Sequence, residues 1–79
     1  MSNIWKFRNL EIEMLKAQVT RRMIAKELGI SYQSVGNKIN NIKPFYREEM
    51  FKIKALLKTD MTLDDLFLLE KIEVKNDRL

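Results

Sequence analysis

The stretch from Thr20 to Asn40, TRRMIAKELGISYQSVGNKIN, constrains this chain more than any other, because it sets two short helical patterns around one glycine with almost no spare residues. Met23, Ile24, Ala25 and Leu28 form an apolar set at helical spacing after Thr20, a residue type that caps helix starts. Val35 and Ile39 stand four apart after Ser31, another capping type. Gly29, one of two glycines in the chain, falls where the first helix must stop in a left-handed backbone conformation. Ala25 supplies the short side chain needed where two helices cross over a three- or four-residue turn.

Length and composition narrow the rest. A chain of 79 residues forms one domain with a small helical core. The longest purely apolar run, Leu66 to Leu69, is far short of the roughly 20 residues a bilayer requires, so no membrane association and a soluble intracellular protein are expected. Cysteine and histidine are both absent. Without them the usual zinc sites, Ser-His-Asp triads and Cys-His pairs cannot be built, and two glycines are too few for a phosphate-cradling loop. No catalytic residue, metal ligand or cofactor is expected, and the chain reads as a non-enzyme.

The net charge of +4 hides an uneven distribution. Residues 1–58 carry 12 Lys/Arg against 5 Asp/Glu, a surplus of +7, whereas residues 59–79 carry 3 against 6, or −3. From Met14 to Arg47, seven cations oppose Glu27 alone, leaving +6 over the two-helix segment. A basic surplus placed there points to a polyanionic partner for the front of the chain and a different role for its tail.

Along the chain, Ile4, Phe7, Leu10, Met14 and Ala17 recur at three- and four-residue spacing and predict helix one over residues 4–17. Helices two and three follow over about 21–28 and 32–40. Pro44 is comfortable just before a helix, so helix four begins near Tyr46 and runs to Lys58, with Phe45, Met50, Ile53, Leu56 and Leu57 as its core stripe. Thr62 followed by Asp65 resembles a capping box and opens helix five, over about 62–75. With no repeat and no strand-like alternation, the expectation is an all-α compact bundle of about five short helices containing a helix-turn-helix.

The segments IAKELGIS, SVGNKIN, KPF, EEMFKIK and LDDLF together resemble the Cro and repressor type of helix-turn-helix protein (lambda repressor-like, XRE). Within it, the chain is similar to small Cro-like regulators of Gram-positive phages. The likeness covers roughly Leu10 to Phe67. It implies a transcriptional regulator in the bacterial cytoplasm, with helix three in the major groove of double-stranded DNA and helix two crossing above it.

The residues agree with that implication on their own terms. On a helical wheel Val35 and Ile39 face inward, leaving Gln33, Ser34 and Asn37 outward. Glutamine and asparagine offer a donor and an acceptor together, matching adenine N6 and N7, so Gln33 and Asn37 are first choices for base readout, with Ser34 and Tyr32 as further candidates. Phosphate contacts are expected from Arg21, Asn40, Asn41 and Lys43. Lys38 is a further phosphate candidate whose stem covers the core edge. Relatives commonly carry glutamine at the position of Arg21, glycine at Asn41, and serine or threonine at Tyr46. Helix four is therefore expected to lack its usual cap, a loss of about 1 kcal/mol.

One such motif reads few base pairs, and regulators of this kind gain affinity as dimers on half-sites roughly 34 Å apart. Helix five carries more apolar positions than one core stripe requires, and Leu66, Leu68, Leu69 and Ile72 are the candidate seam of a homodimer. Alternatively, Trp5 and Phe7 fold over that surface within one chain. A rival function keeps the fold but seizes another repressor protein, as an antirepressor. An RNA-binding role is disfavoured, because helix three offers only Tyr32 for stacking on bases.

Overall fold

In the computed structural model, residues 2–74 are described. The chain runs β1 (Ser2–Lys6), α1 (Arg8–Ala17), α2 (Arg21–Leu28), α3 (Tyr32–Ile39), α4 (Arg47–Leu57), α5 (Leu63–Leu66) and β2 (Glu70–Val74). Strands β1 and β2 pair in a two-stranded antiparallel sheet, with Ser2 opposite Val74 and Lys6 opposite Glu70. The fold is thus mostly helical rather than all-α.

Local chemistry sets the helix limits. The Thr20 hydroxyl accepts the Met23 amide at 3.2 Å to open α2. Ser31 accepts Ser34 at 3.0 Å to open α3. Thr62 accepts Asp65 at 3.1 Å to open α5. These bonds satisfy amides that the first turn of a helix leaves without intrahelical partners. At the other ends, Gln18, Gly29 and Lys58 stop α1, α2 and α4 in left-handed conformations, with φ of 58°, 69° and 54°. Tyr46 gives α4 no side-chain cap. Its own amide is instead held by the Glu49 carboxylate at 2.9 Å, one half of a capping box.

The core draws on every helix: Leu10, Ile24, Val35, Ile53 and Leu66 expose nothing, and Ile39 only 1%. Burying each such side chain stabilises the fold by about 1.5–3 kcal/mol. An aromatic cluster closes the side between α1 and α5. The rings of Phe7, Phe45 and Phe67 meet edge to face, with centroids 5.4 Å (Phe7 to Phe45), 6.0 Å (Phe7 to Phe67) and 5.1 Å (Phe45 to Phe67) apart. Asn9 Nδ2 donates to the Asp65 carbonyl at 2.8 Å and fastens α1 to α5 beside this cluster.

Two predicted elements are corrected. Helix one does not extend over 4–17, because residues 4–6 belong to β1 and Phe7 bends the chain into α1. Helix five does not span 62–75: it ends at Leu66, after one turn, and the chain then enters β2. Residue 75 lies outside the described residues. Leu66 and Phe67 are drawn into the core and the aromatic cluster, and the strand that follows gains a ladder partner in β1. No helix among the described residues is long and apolar enough to cross a membrane.

Candidate nucleic-acid interface

Only Gly29, Ile30 and Ser31 separate α2 from α3, and the two helices pack against each other. The Ile30 amide returns to the Ala25 carbonyl at 3.1 Å, so the turn is tied to the last full turn of α2. Ala25 is buried, as its small side chain requires at a close approach. Val35 and Ile39 anchor α3 inward. The opposite side of α3 is thereby fixed outward.

On that outer side Gln33 is exposed and Ser34 and Asn37 are half-buried, while Tyr32, at the first position of the helix, is 53% exposed. The four base-reading candidates therefore all keep accessible surface on one short helix. Ser34 Oγ accepts from Ser31 Oγ at 2.9 Å, which leaves its own proton free to donate outward. The Arg22 guanidinium lies 5.3 Å from the centre of the Tyr32 ring, a cation–π contact that places positive charge at the tip of α3. No local pattern in the sequence pairs these two residues, which stand ten apart on different helices.

Arg21, at the start of α2, reaches across to α3: a Cβ added at Gly36 would lie 3.4 Å from Arg21 Nη1. Gly36 thus leaves a shallow place on α3 for that guanidinium. Asn40 and Asn41 are exposed just beyond α3, as is Lys43 in the loop. Asn41 has φ of 61°, the left-handed turn in which asparagine substitutes for glycine. The amides of Ile42 and Lys43 both reach the Asn37 carbonyl, at 2.8 and 3.2 Å.

Lys38 departs from its predicted role. It is only 6% exposed, its ammonium donates to the Pro44 carbonyl at 2.9 Å, and Glu49 Oε1 stands 3.0 Å away. The Tyr46 ring lies 4.4 Å from the same nitrogen. A buried ammonium needs such partners, and these commit Lys38 to the protein interior rather than to a phosphate.

The candidate seam is also altered. Leu66 exposes none of its surface and has nothing to offer a second chain. Leu69 packs against the core, Ile72 is half-buried on β2, and Leu68 keeps 49% of its surface open. Phe7 covers part of the tail's apolar surface from within the same chain, as the alternative reading had it, while Trp5 stays half-exposed. No family model, curated protein or solved structure matches the chain.

Proposed function

We propose that this protein is a sequence-specific DNA-binding regulator of the Cro-like helix-turn-helix type, with α2 and α3 as the motif and α3 in the major groove. The observation that carries the reading is the outer side of α3, where Gln33, Ser34 and Asn37 stand accessible with cations at both ends. Their amide and hydroxyl groups match the donor and acceptor pattern of base edges in the major groove. Arg21, Asn40, Asn41 and Lys43 surround that helix and serve the phosphates. The +6 surplus from Met14 to Arg47 steers the approach, although Lys38 spends its charge internally.

Two copies on a two-fold symmetric operator would place two α3 helices about one turn of DNA apart. Occupying the operator would then block polymerase or a competing repressor.

The roles separate experimentally. Gln33→Ala and Asn37→Ala should each cost about 1–3 kcal/mol on the preferred sequence and relax specificity. Lys43→Ala should weaken binding to all sequences and flatten the salt dependence by about one unit. Equal effects of all three variants on every sequence would reject the assignment.

A further inference from the structure

An apolar side chain of similar length generally suits a buried site as well as a paired lysine does, or better. The lysine must therefore do something an apolar residue cannot. Its surroundings identify what.

Lys38 lies on the last turn of α3, and every group its ammonium meets belongs to the next stretch of chain: the Pro44 carbonyl, the Tyr46 ring and the Glu49 carboxylate. The same Glu49 oxygen takes the Tyr46 amide at 2.9 Å, so one carboxylate fixes both the lysine and the start of α4. Between these anchors the chain makes the left-handed turn at Asn41, while Ile42 and Lys43 fold back onto Asn37. Ile42 is 69% exposed, so apolar burial does not hold the outer part of this loop. Polar ties must.

We infer that Lys38, braced by Glu49, is a positioning residue that sets loop 40–46 in the shape that presents Asn40, Asn41 and Lys43 to the DNA backbone. The inference rests on the DNA-binding reading above and deepens it. Specificity stays with Gln33 and Asn37. Lys38 governs how many phosphates the loop engages, without touching one itself.

The test uses the full chain with Lys38→Met, which keeps the buried stem and removes the charge. Amide exchange at Ile42 and Lys43 should quicken by at least about tenfold while the core of α1 and α4 stays protected. On a duplex the wild type binds, the slope of log affinity against log salt should flatten by about one to two units, since each phosphate contributes about 0.9. In a double-mutant cycle, Lys43→Ala should lose affinity far less in the Lys38→Met background than alone. Unchanged exchange at both amides, or an unchanged slope with additive losses, would overturn the inference. Should Lys38→Met fail to fold, Glu49→Gln keeps the shape and the Tyr46 acceptor while removing the carboxylate charge, and is read by the same criteria. A wild-type chain that binds no duplex removes the DNA reading instead, and the exchange rates then decide the loop positioning by themselves.

Discussion

The Arg21 guanidinium passes over Gly36, with Nη1 at 3.4 Å from where a Cβ on that glycine would stand. Gly36 has ordinary helical geometry, so the backbone does not demand glycine there. Gly36→Ala should therefore stabilise the fold by about 0.5–1 kcal/mol, the usual gain in a helix interior. In thermal denaturation that is an upward shift of several degrees, on the scale of about 4–8 °C per kcal/mol for domains of this size. The new methyl would touch the guanidinium at the near limit of ordinary contact, and any displacement of Arg21 should lower DNA affinity as stability rises. A variant that gains both would show that the Arg21 contact has no part in binding.

The aromatic cluster carries a larger consequence. Phe45 is buried and meets both Phe7 and Phe67 edge to face, joining the loop before α4 to the start of α1 and the end of α5. Phe45→Ala should cost about 3–5 kcal/mol by urea denaturation, a large part of the stability of so small a domain. A loss under about 1 kcal/mol would mean that this cluster does not hold the fold together.

What the sequence disclosed and what it concealed divide along the range of the interactions. Thr20, Gly29, Ser31, Pro44 and Thr62 act within four residues of themselves, and each marks its helix boundary to within a residue or so. The ribbon depends on pairing Ser2–Lys6 with Glu70–Val74, and no local period records a partner so distant. Worse, Ile4, Phe7, Leu10 and Met14 imitate a helical stripe, although Phe7 already lies outside α1. The alternation of Ile72, Glu73 and Val74 was a strand signal, obscured by the apolar run before it. At the candidate interface, the outward placement of Gln33 and Asn37 followed from the 3.6-residue period. The capture of the Lys38 ammonium did not, because its partners Pro44 and Glu49 lie in the following loop and on α4.

Gln18 ends α1 at φ 58° although it is not glycine, a conformation that costs most side chains about 1 kcal/mol. Gln18→Gly should therefore raise stability by roughly 0.5–1 kcal/mol. A fall in the thermal midpoint would contradict this.

Glu13 supplies a pH test. The Lys16 ammonium at 3.1 Å and, after it, the Thr59 hydroxyl hold its carboxyl below the ordinary value of 4.5. A lowered folded-state value means that the contribution is fully present above the unfolded value and is lost as pH falls through the folded one. Carboxyl titration by NMR should show Glu13 with a depressed midpoint that moves upward in Lys16→Met. A midpoint insensitive to that substitution would deny Lys16 its leading role.

The central claim is that the outer side of α3 reads DNA sequence, and equilibrium binding tests it most directly. Fluorescence anisotropy would compare duplexes from the chain's own genomic neighbourhood with scrambled duplexes of the same composition at several salt concentrations. One native duplex should bind at least about a thousandfold more tightly than its scrambled counterpart, with affinity on both falling as salt rises. Equal, weak binding to native and scrambled DNA at every salt concentration would contradict the claim.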